Sequence, residues 1–123
     1  KVMTALDGDT ITIWGSGEEA RDLIHVDDLV RCVDDCLNRQ KEAFGLFNVG
    51  SGRAISVNKI VAKIITASGK KLSVQHDVSK PTIPVTLSLD CGLIADRVGW
   101  SPRGSIDAGI KTALRWWADN KAI

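Results

Sequence analysis

Apolar residues recur at helical spacing in two long stretches of the chain. The more regular stretch lies between Ser56, which is suited to an N-cap, and Gly69, which is suited to the C-terminal end of a helix. Its apolar positions are Val57, Ile60, Val61, Ile64 and Ile65. The other stretch begins after Asp27, which stands where an N-cap belongs, and fades near Gln40. Both patterns predict amphipathic helices.

Weaker signals predict three further helical pieces. A short helix is expected over residues 92–98, before the turn that contains Trp100. Ser105 is suited to cap a final helix whose apolar face reaches Trp117. Residues 1–7 are predicted to be the last turns of a helix that ends at Gly8.

Strands are predicted where apolar and polar residues alternate, or where glycine bounds a short apolar run. The best alternation is Thr10 to Trp14, and a glycine-rich turn closes it. Weaker strands or extended pieces are expected at residues 23–26, 46–49, 72–74 and 87–89. Residues 77–84 contain two prolines and predict a loop. Strands that alternate with helices predict an α/β fold, here an incomplete sheet with three or four helices.

Composition adds limits to this picture. The 123 residues are 44% hydrophobic and 25% charged, which suits one globular region over residues 1–123. The net charge of +1 gives no basic field for nucleic acid or an anionic membrane, and no apolar run approaches the roughly 18 residues of a membrane helix. Three cysteines are expected to be reduced thiols in a cytoplasmic protein. Because the predicted sheet is incomplete, an uncovered apolar surface should make the chain oligomerise or need a partner.

Two cations are candidates for binding an anion. Arg21 lies between a glycine-rich turn and a predicted strand, where a guanidinium can donate two parallel hydrogen bonds to a phosphate. Lys80 lies in a loop that Pro81 stiffens. The alternatives are a surface arginine paired with a nearby carboxylate and an ordinary solvated lysine. The turn 50–53 resembles a small anion nest, although a plain turn explains it as well.

Other side chains have simpler explanations. His25 is expected to be a buried histidine bonded to the backbone rather than a catalytic base. Helix capping accounts for Asp27 and Asp28. Trp14, beside the glycine-rich turn, is a candidate to line a ligand pocket. The chain has no tyrosine, no nucleophile–base arrangement and no metal-ligand spacing, so no catalytic or metal residue is predicted.

The order of the local motifs carries a family resemblance. Residues 11–29, ITIWGSGEEARDLIHVDDL, are similar to the WGxGxxxRDFIHVDDL stretch of extended short-chain dehydrogenases, the NAD-dependent epimerase/dehydratase family. Residues 47–57 resemble the FNVGSGxxxSV stretch of that family. The segments 79–81, 89–90, 98–102 and 105–117 resemble motifs at the C-terminal end of the family's sequences. The closest branches are GDP-fucose synthases and UDP-glucose 4-epimerases.

The resemblance implies a role for the chain and for single residues. The chain would be the C-terminal, substrate-binding part of a nucleotide-sugar epimerase or dehydratase. Arg21 would bind the diphosphate of the nucleotide sugar, and Lys80 would lie in the same pocket with Trp14 beside it. Residues 10–40 would lean on a Rossmann half that is absent here. This chain departs from many relatives at Thr86, Leu87 and Ser88, where they carry an arginine.

The family's catalytic parts are also absent. The sequence contains no glycine-rich dinucleotide cradle and no Tyr-x-x-x-Lys pair. NAD or NADP is therefore implied for a full-length parent, with no cofactor held by this chain, and the chain alone should be inactive. Two alternatives stay open: a stand-alone binding or interaction module, and a small anion-binding regulator that uses Arg21, Arg53 and Lys80.

Overall fold

Four helices and two short sheets make up the fold of the described residues, which confirms the predicted α/β class. The computed structural model describes residues 1–5 and 7–120. Four strands are present, in chain order β1 Thr10–Trp14, β2 Ala20–Asp22, β3 Ala54–Ser56 and β4 Ser73–Asp77. The helices are α1 Val26–Arg39, α2 Val57–Ser68, α3 Gly92–Val98 and α4 Ile106–Asp119.

The strands pair two by two. β1 and β4 are parallel, with Thr10 opposite Ser73 and Trp14 opposite Asp77. β2 and β3 are antiparallel, with Arg21 opposite Ile55. Helices α2 and α4 pack on each other, and α1 contacts α3. The two sheets are separate, which agrees with the expectation of an incomplete sheet.

One cluster of the buried core lies between α1 and α3. Cys32, Ile94, Val98 and Trp100 form it, and Phe47 and Val49 are among the residues that pack against it. Val98 and Trp100 come from the end of α3 and the turn after it, where Gly99 adopts a φ of +72°. A left-handed residue ends the helix there at little cost only because it is glycine.

Several predicted boundaries are confirmed. β1 has the predicted limits, and α3 spans the predicted residues 92–98. Ser56 caps α2 by accepting a hydrogen bond from the Lys59 N–H, and Gly69 ends that helix with a φ of +70°. Ser105 caps α4 in the same way. Side-chain capping is a local interaction, so the sequence alone determines it.

The start of α1 differs from the prediction. Residues 23–25 are not a strand, and Val26 is already helical. The N-cap is His25, whose side chain accepts a hydrogen bond from the Asp27 N–H, and not Asp27. The preceding strand lies upstream because Arg21 and Asp22 pair with β3 there. Tertiary pairing, which the local apolar run does not report, decided this boundary.

Residues 46–49 form no strand, contrary to the prediction. Leu46 is 80% exposed, while Phe47 and Val49 turn toward the core. A strand needs a neighbouring strand for its backbone groups, and no strand pairs with this segment within residues 1–5 and 7–120. Phe47 and Val49 do face the core as the pattern indicates, but the segment is not a strand because it has no hydrogen-bonded neighbouring strand among the described residues.

Smaller corrections concern three other predicted pieces. The strand expected at 72–74 begins at Ser73 and continues to Asp77. Residues 87–89 form no strand, although the Leu87 N–H donates to the Ala20 carbonyl. Residues 2–4 form a turn and not a helix, and Leu6, which belongs to the same predicted piece, lies outside the described residues.

Candidate functional site

The proline-containing loop between β4 and α3 lies beside the end of β1. Trp14 is opposite Asp77 in the parallel pair, and the Gly15 N–H donates to the Asp77 carbonyl at 2.8 Å. Gly15 has a φ of +74°, and a Cβ at this position would overlap the side chain of Thr82. Glycine is thus required twice here, by the backbone angle and by the close approach of the loop.

The Arg21 guanidinium contacts the same loop. Its Nη1 donates to the Ala20 carbonyl at 2.9 Å and to the Val85 carbonyl, and its Nη2 donates to the Ile83 carbonyl at 3.4 Å. The half-buried side chain is therefore fixed by backbone oxygens. The predicted alternative, a pairing with a nearby carboxylate, is absent among the described residues.

These contacts leave part of the guanidinium available. Arginine has five N–H donors, and three of them donate to carbonyls. The Nε–H makes no hydrogen bond with the described residues, and Nη2 makes one, to Ile83. The Nε and Nη2 nitrogens share one edge of the planar group. Such an edge can donate two parallel hydrogen bonds to a phosphate or carboxylate.

Lys80 lies in the loop that Arg21 contacts. Its backbone N–H donates to the Asp77 carbonyl at 3.3 Å, and the Asp77 side chain accepts from the N–H and hydroxyl of Ser79. The loop is thus anchored at its start by a local turn. The Lys80 side chain is exposed and makes no ion pair or hydrogen bond with the described residues.

Trp14 is 55% exposed at the end of β1. It lines a cavity of about 650 Å³ between β1 and the helices α2 and α4, whose far wall includes Trp117. The lining is mostly apolar and contains neither Arg21 nor Lys80. Trp14 is therefore connected through its neighbour Gly15 to the loop that contains Lys80 and that Arg21 contacts, but it lines a separate apolar cavity.

The turn 50–52 is occupied by a side chain of the protein. The Asp22 carboxylate accepts hydrogen bonds from the Ser51 N–H and the Ser51 hydroxyl, each at 2.6 Å, and from the Gly52 N–H at 2.9 Å. Burial alone would raise the pKa of Asp22, but these bonds and one from the Leu89 N–H hold the pKa below its ordinary value. The turn resembles an anion nest because it holds this internal anion.

Asp22 is not among the candidate site residues predicted from the sequence. A signal was present, since Asp22 directly follows Arg21 and a glycine-rich turn lies 28 residues later. Neither feature by itself predicts that the Asp22 carboxylate contacts the glycine-rich turn.

A second carboxylate cluster holds the α1 helix in place. Asp28 is 6% exposed and accepts hydrogen bonds from Arg31, from the Arg103 N–H and from the Gly104 N–H. Burial would raise the pKa of Asp28, but these bonds outweigh it and lower the pKa to about 2. The Arg31 guanidinium also lies 5.6 Å from the ring centre of Trp100. This cluster joins α1 to the turn before α4, which is a structural role.

Comparison with known proteins places this arrangement in a family. The model of the NAD dependent epimerase/dehydratase family matches residues 1–50, which include Trp14, Arg21 and the start of α1. Residues 1–50 thus match the NAD dependent epimerase/dehydratase family, and the chain is similar to proteins of this kind over most of its length. The resemblance seen in the sequence motifs is thereby confirmed.

Relatives in the epimerase/dehydratase family are longer than this chain. A putative GDP-L-fucose synthase 2 of Arabidopsis thaliana is 30% identical over 118 residues, which cover 94% of this chain and 35% of that protein. The GDP-L-fucose synthase of Escherichia coli K12 is 26% identical, over 96% of this chain and 39% of that protein. The chain thus spans little more than a third of the length of these relatives.

Solved structures of the epimerase/dehydratase family share the fold. A UDP-glucose 4-epimerase from Bifidobacterium longum, in complex with NAD+ and UDP, superposes with a TM-score of 0.79 at 23% identity, over 91% of this chain and 36% of that one. Separately, no helix within the described part of the chain has the length and apolar character needed to cross a membrane.

Proposed function

We propose that this chain is the nucleotide-sugar-binding region of an NAD(P)-dependent epimerase, dehydratase or reductase, and that residues 1–123 act as one C-terminal region of it. Arg21 and Lys80 bind the diphosphate of the substrate, and Trp14 lines the adjoining pocket. Catalysis requires a further part of the protein, which makes the isolated chain inactive. Relatives that act on GDP-, dTDP- and UDP-sugars support the substrate class.

One observation supports the proposal: the Arg21 guanidinium is held beside the loop of Lys80, with an edge whose Nε–H makes no hydrogen bond to the described residues. Three of its donors are fixed by backbone carbonyls, two of them in that loop. A prearranged guanidinium loses little side-chain entropy when it binds, and the free edge matches two phosphate oxygens. The exposed ammonium of Lys80 adds a second positive charge on the same loop.

The described residues do not fit a dinucleotide cofactor. In this fold such a cofactor needs free N–H groups in a glycine-rich turn at the start of a helix. The N–H groups of Ser51 and Gly52 are bonded to Asp22, and α2 follows β3 directly at Ser56 without a glycine turn. NAD or NADP accordingly belongs to the part of the protein that carries the catalytic residues, and this chain supplies substrate binding only.

The surface of this chain that contacts the cofactor-binding part of the protein is α1. Its outward residues, among them Val30 and Val33, are apolar and exposed although the helix packs on α3 with its other face. Residues 44–46 continue this surface with exposed Phe44 and Leu46. An apolar surface of this kind packs against the cofactor-binding half in a complete protein. A cytoplasmic location belongs to the same proposal and is supported by three free cysteine thiols.

The test is a titration of the ¹⁵N-labelled chain with UDP-glucose, dTDP-glucose and GDP-mannose, followed by NMR. At least one of these is expected to bind, and Arg21→Ala is expected to weaken it at least tenfold, since hydrogen bonds to charged groups contribute about 1.5–3 kcal/mol. Lys80→Ala should weaken binding less, because an exposed ammonium is screened by solvent.

Two controls make the result specific. Arg115→Ala removes an exposed arginine of α4 and should leave the affinity unchanged. Inorganic phosphate and Arg53→Ala test the alternative of a general anion regulator, which would bind phosphate and nucleotide sugars equally and depend on Arg53. An affinity for nucleotide sugars that Arg21→Ala leaves unchanged would exclude the proposed function.

A further inference from the structure

Asp22 joins three separate segments of the chain. It ends β2, its carboxylate binds the turn at Ser51 and Gly52, and its Oδ2 also accepts a hydrogen bond from the Leu89 N–H at 3.1 Å. Four donors thus converge on one carboxylate, three of them backbone N–H groups. Since the carboxylate is charged, each bond is of the stronger, charge-assisted kind.

The bond to Leu89 fixes the segment that holds Arg21. Residues 83–89 run beside β2: the Ala20 N–H donates to Val85, and the Leu87 N–H donates to Ala20. The carbonyls of Ile83 and Val85, which bind the Arg21 guanidinium, lie at one end of this run. Asp22, which directly follows Arg21 in the chain, binds the other end of this run at the Leu89 N–H.

We propose that Asp22 is a positioning residue for diphosphate binding, which keeps residues 83–89 aligned with β2 so that their carbonyls hold the Arg21 guanidinium. The inference rests on the proposed function, because Asp22 affects substrate binding only through Arg21. Asp22 itself makes no contact with the substrate, as its carboxylate is already surrounded by N–H donors.

Gly50 provides a second way to disturb the same contact. A Cβ at Gly50 would lie 2.7 Å from the Asp22 Oδ2, and this glycine does not have a positive φ. Gly50→Ala therefore displaces the carboxylate without removing its charge and without backbone strain. Asp22→Asn instead keeps the shape but turns an amide N–H₂ toward the donors of Ser51, Gly52 or Leu89.

The experiment is a double-mutant cycle on the affinity for UDP-glucose, or for whichever of the three nucleotide sugars binds. Asp22→Asn is expected to weaken binding about tenfold, and Gly50→Ala is expected to weaken binding as well. The double variant Asp22→Asn with Arg21→Ala is expected to bind no more weakly than Arg21→Ala alone. Asp90→Asn is the matched control: among the described residues its carboxylate accepts a hydrogen bond only from the local Gly92 N–H, and this variant should bind the nucleotide sugar normally.

Hydrogen exchange separates positioning from general loss of stability. In Asp22→Asn the amides of Leu87 and Leu89 should exchange faster, while those of α2 keep their protection. Normal affinity in both Asp22→Asn and Gly50→Ala, with Arg21→Ala impaired, would overturn the positioning role and leave the proposed function standing. Strictly additive losses in the cycle would also overturn it. Normal affinity in Arg21→Ala would overturn both.

Discussion

At the scale of single residues, the carboxylates of Asp22 and Asp28 each bind backbone N–H groups of distant segments. Asp22 holds the turn at Ser51 and the backbone of Leu89, and Asp28 holds the backbone of Arg103 and Gly104. Both carboxylates have lowered pKa values because hydrogen bonds to the charged form outweigh the effect of burial. A sequence pattern shows helix caps and cannot show such pairs, since the partners are 29 to 76 residues away.

Asp28 makes the stability of the chain depend on pH. Its pKa is about 2 in the folded protein against 3.8 as its ordinary value, so its stabilisation is present above about pH 4 and is lost as the pH falls toward 2. Asp28→Asn should lower the free energy of unfolding at pH 7 by about 1–3 kcal/mol. Urea unfolding at pH 7 and between pH 4 and 2 checks this.

The control for that experiment is Asp27→Asn, which changes the same group one residue earlier, where the side chain is 83% exposed. Its free energy of unfolding should stay close to that of the unmodified chain. Equal stability of both variants at pH 7 would show that the Asp28 cluster contributes nothing measurable.

At the scale of elements, local signals determined the helices and long-range pairing determined the strands. The caps at Ser56, Gly69 and Ser105 lie where the residue types predict them. Residues 23–26 and 46–49 were predicted as strands from equally clear apolar runs, and neither is one. The difference is physical: a helix satisfies its backbone within the segment, whereas a strand depends on a neighbour that the segment does not contain.

The caps of α2 give a prediction at this scale. Ser56→Ala removes the hydrogen bond from the Lys59 N–H, and Gly69→Ala forces an alanine into a φ of +70°. Each should lower the free energy of unfolding by about 1 kcal/mol. Thr66→Ala, on the exposed side of α2, is the control and should be neutral or slightly stabilising. If the three variants had the same melting temperature, the capping role would be contradicted.

At the scale of the whole molecule, one face of α1 and the segment after it leave large apolar side chains in solvent. Val26, Val30, Val33 and Leu37 of α1 are all more than half exposed, as are Phe44 and Leu46. Soluble monomers rarely expose so continuous an apolar surface. The chain covers little more than a third of its relatives. In the proposed function this surface packs against the cofactor-binding part of the protein.

The isolated chain is therefore expected to self-associate through α1. Sedimentation over a concentration series should show oligomers whose fraction rises with concentration. Replacing Val30 and Val33 together by glutamate should shift the chain toward the monomer without loss of helical circular dichroism, because both side chains are already exposed. Ala62→Glu on α2 is the control and should leave association unchanged. A chain that is monomeric at every concentration would contradict this expectation.

The sequence by itself determined α2, α3 and α4 with the caps at Ser56, Gly69 and Ser105, the α/β class, the family resemblance and the candidates Trp14, Arg21 and Lys80. These depend on local residue types and their order. Only the tertiary structure decided that Arg21 is held by the carbonyls of Ile83 and Val85, that Asp22 fills the glycine-rich turn, and that residues 46–49 have no strand partner. Each of these depends on a contact between segments far apart in the chain, which the pattern along one segment cannot encode.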